Sequence, residues 1–189
     1  MSADPTIIRP ANRRELYRLF LKGGIGAEIG VQRGDNAAVL IEETEPIAVS
    51  LVDAWQHRNT GTDYDQDRAN AEQSKHDANF AHVRQRFMSG ATAVRLTSEQ
   101  FWKLSAGGYD WIYIDADHTY EAVIADLRGA SRCVKPGGII AGHDYCDSSQ
   151  TTQFGVIQAV DKFTSETDWR MVALTRGAFP SYMLQREGA

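Results

Sequence analysis

Two apolar runs in this chain end in side chains able to bind metal and move protons. Tyr109 to Ile114 (YDWIYI) stops at Asp115, and Ile139-Ile140-Ala141-Gly142 delivers His143 and Asp144. Two carboxylates and an imidazole can hold a divalent ion while leaving positions open for substrate oxygens and water. Carboxylate-rich ligation favours magnesium or manganese, and the imidazole also admits iron, nickel or zinc. His118, three residues past Asp115, can sit beside such an ion and take a proton from a hydroxyl, work that suits a pKa near neutrality. Asp117, two residues on, is expected to face the following helix N-terminus. The plainer account has Asp115 and Asp117 capping that helix, His143 packed and His118 in water.

A second group lies earlier. Glu28-Ile29-Gly30-Val31-Gln32-Arg33-Gly34 follows a strand-like run, and glycine there removes side chains that would block a ligand lying on the backbone. Asp53 ends the next strand, where a carboxylate can bind ribose hydroxyls. The spacing from Gly30 to Gly34 is wider than the dinucleotide fingerprint, which favours a cofactor with a ribose and no pyrophosphate. Glu28 could then meet an ammonium group, directly or through water. Thr97 and Ser98, at a third strand end, are placed to hydrogen-bond a base, and Trp102 is a candidate for the adenine edge. The alternative is an acid and two glycines serving an ordinary tight turn.

The elements that position these groups alternate. Short helices are expected over Arg13 to Leu21, from Asp35-Asn36 (as N-cap) through Glu43, over the second half of 54–79, over Glu99 to Leu104, from just after His118 to Cys133-Val134, and from Gly155 to about Phe163. Strands are expected over Ile25 to Val31, Ile47 to Val52, Ala91 to Leu96, Tyr109 to Ile114 and, after a Pro136-Gly137-Gly138 turn, Ile139 to Gly142. Trp169 to Leu174 and Ser181 to Leu184 read as a closing hairpin. This is an α/β pattern: a Rossmann-like doubly wound, mostly parallel seven-stranded sheet with an antiparallel C-terminal hairpin. Parallel strands bring Asp115 and His143-Asp144 to one carboxyl edge, where open α/β sheets bind ligands. Phe80, Val83 and Phe87 mark a buried stripe. His57 to Asp67 reads as a surface loop, and 54–79 as a substrate-covering segment. His57, His76 and His82 are expected in water, and Cys146 is expected to be a bystander.

At 189 residues, one domain spanning 1–189 is expected. The formal net charge of -5, from 25 acids and 20 bases, gives no basic footprint, so a small-molecule partner without nucleic acid is expected. No run approaches a membrane span, and Cys133 and Cys146 make no disulfide framework, so a cytoplasmic location is expected. A homodimer is compatible with the sequence.

The segments GAEIGVQRG (26–34), LVDAW (51–55), IDADHTYEAVIADL (114–127) and KPGGIIAGHDY (135–145) resemble the class I S-adenosylmethionine-dependent methyltransferases. More narrowly they resemble the small-molecule O-methyltransferases that act on macrocin- and mycinamicin-type sugars. The resemblance implies that Glu28, Gly30 and Gly34 surround the methionine end of S-adenosyl-L-methionine and that Asp53 holds its ribose. It places Asp115 beside the cofactor and makes Asp115, His143 and Asp144 the metal ligands, with His118 as general base. His143 departs from relatives that carry a carboxylate there, which weakens the case for Mg²⁺. The expected activity is methyl transfer to a hydroxyl of a sugar, polyol or phenol. Alternatives are a metal-independent methyltransferase, a noncatalytic S-adenosylmethionine-binding or partner-binding domain, and a nicotinamide-dependent oxidoreductase.

Overall fold

Every second residue of a strand faces the same side of its sheet, and the apolar residues here divide on that rule. In β4 (Tyr109–Ile114), Ile112 and Ile114 enter one core cluster while Trp111 and Tyr113 enter another on the opposite face. A strand apolar on both faces must be covered on both, and β4 lies in the middle of the sheet. The computed structural model describes residues 7–59, 70–148 and 152–188. Around β4 it places α1 (Arg13–Tyr17), β1 (Ile25–Ile29), α2 (Asp35–Thr44), β2 (Ala48–Asp53), α3 (Gln73–Arg86), β3 (Ala91–Arg95), α4 (Ser98–Leu104), α5 (Tyr120–Cys133), β5 (Val134–Gly142), α6 (Val156–Glu166), β6 (Trp169–Leu174) and β7 (Tyr182–Arg186). The seven strands run in the order β3-β2-β1-β4-β5-β7-β6. β1 to β5 pair in parallel, and β7 is antiparallel to both β5 and β6. This is the expected Rossmann-like sheet with its antiparallel hairpin.

One core cluster joins Phe101 and Trp102 of α4, Val123, Ile124 and Leu127 of α5, and Val160 and Phe163 of α6 to one sheet face. The other packs Leu16 and Tyr17 of α1, Leu40 of α2 and Val83 of α3 on the second face. Side chains such as Leu40, Ile112 and Leu127 are fully buried, each contributing about 1.5–3 kcal/mol from desolvation. Arg14 and Arg18 pair with Glu42 and Glu43, tying α1 to α2 and fixing which way neighbouring Arg13 can point.

Several boundaries differ from expectation. α1 ends at Tyr17, and Leu19 is exposed while Phe20 still packs inward. β1 ends at Ile29, because Gly30 takes φ 89° and leaves the strand. The N-cap of α2 is Gly34, without a side-chain cap, and Asp35 is already helical. Pro136-Gly137-Gly138 does not separate α5 from its strand. β5 starts at Val134, directly after α5, and pairing steps from Tyr109↔Val134 to Trp111↔Ile139 across a bulge. Proline and glycine suit a bulge as well as a turn. Of the covering segment at 54–79, residues 60–69 lie outside the described residues, as does most of the expected loop from His57 to Asp67.

Candidate functional site

Strand register brings the expected groups together. Ile29 pairs with Val52 and with Ile114, and Ile114 with Gly142. The next residues, Gly30, Asp53, Asp115 and His143, therefore leave neighbouring strands at one edge. The order reverses between β1 and β4, where a crevice opens. A cleft of about 1080 Å³ lies there, and Gly30, Asp53, Thr97, Asp115, His118 and His143 are on its walls.

Gly30 lies on the cleft wall and Gly34 behind it, and both serve the fold. A Cβ on Gly30 would overlap the backbone carbonyl of Asp115, and one on Gly34 would press on the Phe87 ring. Both have positive φ, 89° and 77°. Their first duty is to let β1 approach β4 and to let α2 start under α3. Glu28 is fully buried; its Oε1 accepts from Asn36 Nδ2 at 2.9 Å and its Oε2 has no partner among the described residues. Burial pushes its carboxyl up to about 8, helped by Asp115 and Asp53 and opposed by Asn36 and Arg13.

Asp53 is occupied by backbone. Its Oδ2 accepts from the amides of Val31 (3.0 Å) and Gln32 (2.9 Å), and its Oδ1 from that of Trp55 (2.7 Å). Gln32 and Trp55 both have positive φ, 49° and 40°, a costly conformation for such side chains. The carboxylate and the bond from Trp55 Nε1 to Gln32 O, 2.8 Å, hold that strain in place. Thr97 is the N-cap of α4 in a reciprocal capping box with Gln100, and it lines the cleft beside Ser98. Trp102 also lines the cleft, whereas Trp55 and Trp111 are wholly buried.

At the other end, His118 Nε2 lies 3.1 Å from Asp144 Oδ2 and 3.6 Å from Asp115 Oδ1, and it is buried without a formed hydrogen bond among the described residues. Burial lowers the His118 pKa, but the carboxylates of Asp115, Asp144 and Asp117 outweigh it and the net shift is upward. Its ring rests on Phe154, centroids 4.6 Å apart. Asp144, in the left-handed region at φ 55°, has its carboxyl held low: burial would raise it, and His143 and His118 overcome that. His143 Nδ1 sits 2.8 Å from Asp144 Oδ1 and 3.8 Å from Asp115 Oδ1. The donor atoms that converge within 4.8 Å of one another belong to Asp115, His118 and Asp144. The carboxylates thus come together as expected, but the imidazole grouped with them is that of His118, and His143 braces Asp144. Asp117 turns away, its Oδ1 accepting from the Thr119 amide at 2.9 Å.

Three residues at the cleft went unmarked in the sequence, and a fourth was expected elsewhere. Arg13, from α1, brings a guanidinium 3.5 Å from Asp115 Oδ2; adjacent Arg14 offered the same charge, and only the fold separates their directions. Arg58 lies 3.7 Å from Asp117. Asp126 is buried, its Oδ1 accepting from Trp102 Nε1 at 2.8 Å; an acid inside the stripe Val123, Ile124, Leu127 was the available signal. His76, expected in water, is 6% exposed and lines the cleft. Polar residues dominate α3, so periodicity gave no hint that one histidine turns inward.

A seven-stranded sheet of this order and pairing, with an acid ending β2 beside a cleft at the β1–β4 switch, defines a class I S-adenosylmethionine-dependent methyltransferase fold. A family described as a methyltransferase domain matches residues 27–145, more than half of the chain, and the chain belongs to that family. No curated protein matches it. Among solved structures it is similar to one from Clostridium thermocellum described as an rRNA methylase, at 15% identity and TM-score 0.65, covering 95% of this chain and 99% of that one. It is similar to a ribosomal protein L11 methylase from Lactobacillus delbrueckii subsp. bulgaricus, at 12% identity and TM-score 0.61, covering 92% and 77%. It also resembles the N-methyltransferase NodS of Bradyrhizobium japonicum WM9 in complex with S-adenosyl-L-homocysteine, at 13% identity and TM-score 0.63, covering 92% and 82%. The activity is S-adenosylmethionine-dependent methyl transfer.

The comparisons correct one expectation. A small-molecule partner with nucleic acid excluded does not stand, since similar structures include an rRNA methylase and a ribosomal-protein methylase. Net charge averages the whole surface, and the cleft itself mixes cations such as Arg13, Arg58 and Arg128 with acids such as Asp53, Asp115 and Asp117, so charge alone does not decide the acceptor. Among the described residues no helix is long and apolar enough to cross a membrane.

Proposed function

We propose that this protein methylates a hydroxyl, with His118 as general base and Asp115 and Asp144 as its electrostatic partners. The observation that carries this reading is an imidazole at the cleft wall flanked by two carboxylates, 3.1 and 3.6 Å from one nitrogen. Carboxylates on the Nε2 side keep the proton there, which leaves Nδ1 as the basic nitrogen. Nδ1 takes the hydroxyl proton as the oxygen attacks the sulfonium methyl. The O–C bond forms, the S–C bond breaks, and the electron pair stays on sulfur as a neutral thioether. Positive charge thereby passes from sulfonium to imidazolium, which the two carboxylates stabilise. At the donor end, Glu28 receives the methionine ammonium, with Gly30 and Gly34 shaping that end of the cleft. Asp53 takes up a ribose hydroxyl, and Thr97 and Ser98 face the base.

The resemblance of IDADHTYEAVIADL (114–127) and KPGGIIAGHDY (135–145) to macrocin- and mycinamicin-type enzymes supports a sugar or related polyol hydroxyl. The rRNA and ribosomal-protein methylases among similar structures put ribosomal RNA and protein on the same list of acceptors to assay. Incubation with methyl-labelled S-adenosylmethionine and a panel of sugars, phenols, polyols, ribosomal RNA and ribosomal protein is the direct test. Label on oxygen supports the reading, and label found solely on nitrogen or carbon sinks it.

A second reading adds a divalent ion. Asp115, Asp144 and one imidazole offer oxygen and nitrogen donors close enough to share Mg²⁺ or Mn²⁺. When bound, the ion would supply Lewis acidity to an acceptor oxygen. His118 Nε2 as a ligand leaves His143 bracing Asp144, whereas ligation by His143 frees His118 as base. Arg13 opposes this reading by placing a cation against Asp115. Arg13→Met should therefore tighten Mn²⁺ binding by about 3–10-fold, read by electron paramagnetic resonance titration. Unchanged affinity would take Asp115 out of the ligand set.

Glu28 supplies a pH signature. Its carboxyl, at about 8, is largely protonated at neutral pH, and a bound ammonium favours the ionised form. Binding of S-adenosylhomocysteine should release a proton, and affinity should rise with pH until it levels near 8. Calorimetry in buffers of different ionisation enthalpy checks this, and Glu28→Gln should erase it. Binding without proton release would leave Glu28 outside the ammonium site.

A further inference from the structure

We infer that His76 is a cofactor-binding residue, hydrogen-bonding the ribose hydroxyl that Asp53 cannot serve. This rests on the reading that the Asp53 end of the cleft receives the ribose. The argument begins with acceptor sites. An ionised carboxylate offers about four, and three on Asp53 are filled by the amides of Val31, Gln32 and Trp55. The two on Oδ2 are both occupied, and one remains on Oδ1. Those amides cannot be released cheaply, because they hold Gln32 and Trp55 at positive φ. A ribose presents two neighbouring hydroxyls, so Asp53 can accept from one and the other needs a different partner.

His76 meets that need. It lies in the first turn of α3, its amide bonded to Glu72 O at 3.2 Å, and its side chain is on the wall of the same cleft. The residue is 6% exposed, and its Nε2 is buried with no partner among the described residues. A buried polar nitrogen without a partner is destabilising, and a ligand hydroxyl would supply the missing partner. Burial lowers the ring's pKa, and Gln73, one turn earlier in α3, donates from Nε2 to the Trp55 carbonyl at 3.0 Å, which seats this end of α3 beside the end of β2 that carries Asp53. A neutral imidazole can accept the hydroxyl proton at Nε2 or donate to the oxygen, so either tautomer serves. Were His76 packing alone, its loss would affect every ligand equally.

The test is calorimetric binding of S-adenosylhomocysteine and its 2′-deoxy and 3′-deoxy counterparts to the wild type, His76→Phe and His76→Gln. Phenylalanine keeps the ring volume without the nitrogens, and glutamine restores a polar group of similar reach. His76→Phe should weaken S-adenosylhomocysteine by roughly 3–10-fold and should not further weaken one of the two deoxy ligands, while the other stays penalised as in the wild type. His76→Gln should recover part of the loss. Equal weakening of all three ligands by His76→Phe, or no weakening, would overturn the assignment. If His76→Phe fails to fold, His76→Leu takes its place, and equal weakening of all three ligands by that variant overturns the assignment in the same way. A wild type that binds no S-adenosylhomocysteine would overturn the methyl-donor reading as well, so the two failures are told apart.

Discussion

His118→Ala should lower kcat by about 10²–10⁴-fold, the usual contribution of a positioned general base. KM for the methyl donor should hardly move, because His118 contacts the proposed acceptor end. The neutral imidazole is the active form, and the carboxylates hold its pKa above the ordinary 6.5. The wild-type rate should therefore rise with pH through a midpoint above that value and then level, and the variant should lose this rise. Two controls sharpen the result. Asp144→Asn removes the nearest carboxylate, so the midpoint should fall along with kcat. Excess Mn²⁺ should not rescue His118→Ala if the histidine is a base, whereas rescue would assign His118 to the metal-holding set. A variant with near-normal kcat and an unchanged pH profile would remove His118 from the chemistry.

Gly30→Ala should be the most damaging glycine-to-alanine substitution among the described residues. Alanine must adopt φ 89° and place its methyl into the carbonyl of Asp115. Left-handed strain costs about 1–3 kcal/mol, and backbone overlap adds about 1–3 more. For a chain of this size a total of about 2–6 kcal/mol lowers the melting temperature by roughly 4–24 °C. Gly177→Ala is the comparison: φ is 113° but no atom lies within 4 Å of a Cβ, so only the strain remains and the drop should be about 2–12 °C. Similar melting temperatures for the two variants would mean that the β1–β4 approach at Gly30 is not tight.

The sheet was readable because its signals are local. Tyr109–Ile114 and Trp169–Leu174 came out with their exact bounds, since aromatic and β-branched runs between turn residues leave little choice. The Pro136-Gly137-Gly138 stretch misled because a bulge and a turn use the same residues, and only pairing to β4 tells them apart. The site was legible as a neighbourhood. Parallel order alone places Asp53, Asp115 and Asp144 at one edge. Ring direction was not legible: His118 and His143 each follow a strand end, and side-chain packing decided which joins the carboxylates. Arg13 and His76 stayed hidden for a related reason, since both come from helices whose inward face is set by partners distant in sequence.

The meeting of Gly30 with the Asp115 carbonyl has a consequence for redesign. The segment that would grip the donor and the segment that would activate the acceptor touch through backbone, with no side chain between them to retune. Their spacing is thus a fixed dimension of the scaffold, like the bed of a lathe. On the proposed function, substitutions outside that bed, at Arg13 of α1 or around Arg58, should change acceptor choice without resetting the alignment of methyl group and base. A library confined to those positions should yield altered acceptor preference with donor affinity retained.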